Sequence, residues 1–387
     1  MKNIINQFSR KTNSMSFIPE IDGLRFFAII TVVLFHLNTS FSDEIGLDLS
    51  DSFNLMGGVN SIFSIGWYWI RLDLGVKVFF AISGFVLALP FLKYYLNLGG
   101  EKVDLKKYFF RRFSRLEPPF IISLCFFLLV HKFVLGKEFI DLFDNLLAGI
   151  FYCHVIFFGE SNPINPVTWS LETEAQFYLL VPFLLSLVFH FRYKFYNLFV
   201  IVILIGFSMW FRQNFAFSEH WGQSILSYFT NFATGVIMCW FYLENKSWFS
   251  KKSLLFDVLG LVGTFGLFYF YKPQHYIVNQ LFFNLSILIV MITSFKGKIL
   301  NGVYTNSFVF TVGGMCYSIY LLHYAFFHLS VKFTKHLYVD SFGYADNLVL
   351  QVFTNLPLML LFSGIFFRYC ERPFMKKDWW SRLMKGK

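Results

Sequence analysis

The residues best suited to chemistry lie in one apolar, helix-length run from Asp22 to His36, DGLRFFAIITVVLFH. Arg25 stands near one end and His36 near the other, eleven positions apart. At 3.6 residues per turn this is about three turns, so both side chains point to one face, separated by roughly 16 Å along the axis. Asp22, three residues before Arg25, is spaced to pair with it. An arginine near the centre of a membrane helix costs on the order of 3 kcal/mol, which normally turns it towards a protein interior or a wet cavity. The stripe reads as one wall of a polar path, and a neutral imidazole such as His36 can take a proton from a hydroxyl near physiological pH. A second run, TWSLETEAQFYLLVP, opens with Glu172 and Glu174. Capping a helix N-terminus accounts for one of them. Glu174 has Ser170 and Tyr178 four residues to either side, and is expected to face His36 at the same depth and hold its imidazolium.

Other positions carry two readings each. In LGVKVFFAISGFVLALPF, the pair Ser83–Gly84 allows either close helix packing or approach of a ligand to the backbone. Lys77 in the same run can simply snorkel. Arg111, Arg112 and Arg115 in RRFSRLEPP serve as a topology signal, and three guanidinium groups on one turn also suit bidentate phosphate binding. His323, in YSIYLLHYAFFH, lies mid-span beside Tyr320 and Tyr324, either as a hydrogen-bonded packing residue or as a functional one. Glu371, between Arg368 and Arg372, reads as part of a structural ion network.

The elements that position these residues follow from composition. Of 387 residues, 56% are hydrophobic, 22% aromatic and only 14% charged, and Phe alone occurs 56 times. The mean hydropathy is +0.55. A soluble domain carries about 25% charged residues, so this chain belongs in lipid. Its net charge of +10 would suggest nucleic acid in a soluble protein, but the cations sit in short connectors, as in cytoplasmic loops. The five cysteines, Cys125, Cys153, Cys239, Cys316 and Cys370, are scattered without metal-ligand spacing, so neither a disulfide framework nor a metal site is expected. The first apolar run contains Arg25 and lacks a small-residue cleavage site, so it is expected to remain as a span.

Ten spans are expected, at about 17–37, 75–96, 119–135, 171–190, 196–211, 223–243, 253–271, 276–295, 313–333 and 347–368. The connectors with Lys102, Lys106 and Arg111, with Arg192 and Lys194, with Lys246 and Lys251, and with Lys296 and Lys298 alternate with cation-poor ones. That asymmetry predicts an all-α polytopic membrane bundle with both termini cytoplasmic: a polar segment 1–17, a membrane domain 18–375 and a basic tail 376–387.

Taken together, IDGLRFFAIITVVLFH, GVKVFFAISGF, RRFSRLEPPF, WSLETEAQFYLLVP, YSIYLLH and RYCERPF resemble, in order, the motifs of the integral-membrane acyltransferase family 3, the bacterial O-acyltransferases of surface polysaccharides. The resemblance covers residues 18–375. Lys77 stands where an acidic or polar residue is common, and Glu117 interrupts the usual hydrophobic-Pro stretch. It implies acyl-CoA, most often acetyl-CoA, as donor from the cytoplasm and a carbohydrate hydroxyl as acceptor at the outer side of the bacterial cytoplasmic membrane. His36 would be the base, helped by Glu174, with Arg25, Arg111, Arg112, Arg115, Ser83 and Gly84 on the donor and Trp169, Ser170, Tyr178 and His323 on the acceptor. Some relatives carry an extracytoplasmic hydrolase-like domain; none is expected in these residues, so a transfer that needs one would draw it from another chain. The alternative from a different class is a proton-coupled transporter using Arg25 and His36, for which inverted repeats with broken helices would speak.

Overall fold

A computed structural model describes residues 17–133, 136, 139–191, 193–272, 276–375 and 379. The expected polar N-terminal segment up to residue 16, Lys137, Arg192 and nearly all of the basic tail lie outside the described residues. Among those described no strand forms, and the principal helices are α1 (Pro19–Glu44), α2 (Gly75–Tyr95), α3 (Leu105–Phe133), α4 (Phe139–Ile150), α5 (His154–Phe158), α6 (Trp169–Phe189), α7 (Lys194–Phe215), α8 (Ile225–Glu244), α9 (Leu254–Phe270), α10 (Ile277–Lys296), α11 (Ser307–Gly314), α12 (Cys316–Thr334) and α13 (Tyr344–Phe366).

Among the described residues eight helices are long and apolar enough to cross a membrane, or nine when α11 and α12 count as one broken span. The remaining expected span, α9, has 17 residues; at 1.5 Å per residue it reaches about 25 Å, short of a hydrocarbon core of about 30 Å. Pro19 opens α1 at a position where its missing N–H costs nothing. Asp104, just before α3, accepts a hydrogen bond from the backbone N–H of Lys107 at 3.1 Å, which holds its carboxyl below the ordinary carboxylate value. Leu261, Val262, Phe199 and Phe353 point outward, the arrangement expected where lipid is the solvent.

Small residues let the central helices touch. A Cβ on Gly84 of α2 would stand 2.0 Å from the carbonyl oxygen of Phe232 on α8, and one on Gly235 of α8 would stand 1.8 Å from that of Ala81 on α2. This reciprocal contact brings the two backbones together, as membrane packing without a hydrophobic driving force requires. Phe232 then stacks between Phe80, at 4.6 Å, and Phe177 of α6, at 4.2 Å. α1 is held against α11 in the same way, with Gly313 seated on the carbonyl oxygen of Asp22. Between α11 and α12 the chain bends by 70°, directly after the Gly313–Gly314 pair, a common cause of such breaks. The bend turns the first residues of α12 into the bundle.

Candidate active site

Five helices converge on a cleft of about 850 Å³ including its mouth. α1 contributes Arg25, α2 Phe80 and Ser83, α3 Arg112 and Arg115, α6 Ser170, Glu174 and Tyr178, and α12 Cys316, Tyr317 and Tyr320. The local spacing explains the convergence. Ser170, Glu174 and Tyr178 recur every four residues and form one stripe of α6, and Cys316 and Tyr320 do the same on α12.

Arg25 donates to the buried carboxylate of Asp22, one turn earlier on α1. The carboxylate of Glu174 accepts from the hydroxyl of Ser83 and from the Tyr178 hydroxyl at 2.5 Å. Arg112 lies 5.9 Å from the ring of Tyr108 and 6.0 Å from that of Tyr178, positions that favour a cation over an aromatic face. Tyr317 donates to the carbonyl of Leu116 at 2.8 Å, and Ser170 and Tyr320 share a hydrogen bond of 2.9 Å. The Nε of Arg115 is buried and has no hydrogen-bond partner. Three guanidinium groups line the cleft; Arg25 is ion-paired with Asp22, which leaves Arg112 and Arg115 against Glu174, the carboxylate among the described lining residues. A cleft with that surplus is built to receive an anion.

His36 does not line this cleft. α1 carries it about 16 Å beyond Arg25, where its ring stands 5.2 Å from that of His323 and 5.3 Å from that of Tyr324. The expected contact between His36 and Glu174 does not form. Glu174 is bonded to Ser83, whose neighbours in the cleft include Arg25, so it belongs at the level of Arg25 rather than that of His36. Arg25 lines the cleft and His36 does not. What joins the two levels is α12: Cys316 and Tyr320 line the cleft, and His323, one turn further on the same face, reaches His36. The Nδ1 of His323 faces the carbonyl oxygens of Tyr320, at 2.8 Å, and Ile319, at 3.1 Å, so it carries the proton. That leaves the buried Nε2 of His323 and the buried Nδ1 of His36 without partners.

The remaining sequence candidates take other places. Gly84 faces the Phe232 backbone, the packing reading of that position. Arg111 is exposed and off the cleft. Trp169 packs between Tyr228, at 5.4 Å, and Phe80, at 6.3 Å. Glu172 accepts from the N–H of Val155 at 3.0 Å, capping the short α5. Glu371 is fully buried and accepts from the N–H and the hydroxyl of Ser318, at 3.1 and 2.6 Å. Cys316 and Tyr317 line the cleft although the sequence alone does not single them out as site residues. The i, i+4, i+7 spacing of Cys316, Tyr320 and His323 was the signal available for the first of these.

Residues 18–368 match the acyltransferase-domain family, acyltransferase family 3. The chain belongs to that family. It is similar to the O-acetyltransferase OatA of Staphylococcus aureus strain NCTC 8325 / PS 47, at 26% identity over 396 residues, and equally to OatA of strain COL. Each match covers 95% of this chain and 58% of the relative, so the chain spans less than three fifths of the length of these proteins. No solved structure matches. The helices suited to crossing a membrane and the family together make this a multi-pass membrane protein.

Proposed function

We propose that the chain is a membrane O-acyltransferase that moves an acyl group, most simply acetyl, from acyl-CoA on the cytoplasmic side to a hydroxyl of a cell-surface or exported carbohydrate, in the bacterial cytoplasmic membrane with both termini inside. The observation that carries this reading is the junction of two levels by α12: an anion-receiving cleft with Arg25, Arg112 and Arg115, and beyond it a buried histidine pair. In this reading Arg112 and Arg115 take the donor's phosphates and Arg25 orients the donor between them and His36, where its acyl end lies. His36 accepts the proton of the acceptor hydroxyl as its oxygen attacks the thioester carbonyl. The carbon–sulfur bond breaks, and the proton passes to the leaving thiolate, giving the ester and free CoA. Glu174 acts as a positioning residue through Ser83 and Tyr178. Support comes from the family and from the relatives' O-acetyltransferase names.

The test is His36→Ala in membranes supplied with labelled acetyl-CoA. General-base catalysis is typically worth about 10²- to 10⁴-fold, and a loss of that size in transfer to surface glycan is expected at unchanged protein level. Transfer near the wild-type rate would remove His36 from the reaction.

A further inference from the structure

A second cavity, of about 400 Å³ with its mouth, lies between α2, α7, α8, the C-terminal end of α9 and α10, and shares no lining residue with the cleft. Its walls include Lys77, Arg212, Asn231, Tyr271, Lys272 and Gln280. Lys77 is about one and two-thirds turns along α2 from Ser83, about 9 Å, and is buried. It forms an ion pair of 3.0 Å with Asp73 and donates to the Tyr271 hydroxyl, which in turn donates to Asp73 at 2.5 Å. One cation is therefore neutralised in place.

Arg212 is not. It is 9% exposed, so it does not snorkel out of the bundle as a cation near the end of a membrane helix otherwise would. Its guanidinium lies 4.2 Å over the ring of Tyr228, which fixes the plane of the fork, and one terminal nitrogen, Nη1, is buried without any hydrogen-bond partner. Of the amides around it, Asn231 donates its NH2 to Asn284 at 2.9 Å, and Gln280 donates its NH2 to the carbonyl of Met209 at 3.0 Å. Lys272 adds a further cation at the rim. A buried, oriented guanidinium with an unanswered N–H is costly unless a ligand answers it.

We infer that this cavity is an oxyanion site, in which Arg212 receives a phosphate group and Lys272 adds charge at the rim. The phosphate belongs either to a lipid headgroup or to a phosphate free in solution. This holds whether or not the chain transfers acyl groups, because neither Arg212 nor Lys272 lines the other cleft.

The experiment measures the melting midpoint of the full-length protein in two arms. In detergent, inorganic phosphate is titrated against chloride at equal ionic strength. In nanodiscs, phosphatidylglycerol is compared with phosphatidylcholine. We expect at least one arm to raise the wild-type midpoint above its control, the responding arm naming the source, and Arg212→Gln to abolish the rise or weaken the apparent affinity about tenfold or more. If neither anion moves the wild type, or if Arg212→Gln keeps the full shift, the inference is overturned. Should Arg212→Gln show no melting transition, Lys272→Gln decides: a several-fold weaker response supports the site and an unchanged one overturns it.

Discussion

The cleft separates three arginines that adjacent positions in the sequence had grouped, and this is open to a sharp test. Arg115 lines the cleft with a buried, unpartnered Nε, whereas Arg111 is exposed outside it. Hydrogen bonds to a charged group contribute about 1.5–3 kcal/mol each. If a donor phosphate is what answers Arg115, then Arg115→Gln should weaken binding by roughly 10- to 150-fold, at about 1.4 kcal/mol per factor of ten. Arg111→Gln removes an exposed charge that salt screens, and should change affinity by about twofold or less. The assay is equilibrium binding of labelled acetyl-CoA to the purified full chain in detergent, at one ionic strength, with melting curves to verify that both variants fold. Equal effects of the two substitutions, or wild-type binding by Arg115→Gln, would refute the assignment of the cleft as the donor site.

Further outcomes follow from particular contacts. Tyr178→Phe and Ser83→Ala each remove one of the two donors to Glu174, and each should weaken donor binding or stability by about 1–3 kcal/mol, read in the same assay and in melting curves; the double variant should cost less than the sum of the singles, because both serve one carboxylate. Gly84→Ala would place a methyl 2.0 Å from the Phe232 carbonyl oxygen; overpacking of this kind costs about 1–3 kcal/mol, and the melting midpoint should fall. Gly206 of α7 has nothing within contact of an added Cβ, so Gly206→Ala should leave the midpoint unchanged or raise it, by up to about 1 kcal/mol from helix propensity.

The amino-acid sequence determined the class of the molecule. Its apolar runs leave no alternative to spanning helices, because backbone polar groups in lipid must be satisfied within the segment. It also determined which side chains share a face, since 3.6 residues per turn sets Ser170, Glu174 and Tyr178 on one stripe and Arg25 and His36 on another. What periodicity does not carry is the axial register between helices. Only the tertiary structure decided that Glu174 lies at the level of Arg25, because Gly84 and Gly235 lock α2 against α8 while Ser83 is drawn to Glu174. The bend after Gly313–Gly314 likewise decided that α12 supplies Cys316 and Tyr320 to the cleft and His323 to His36. Local pattern fixes directions around each helix axis, and heights along it are settled only when small residues and hydrogen bonds on different helices meet.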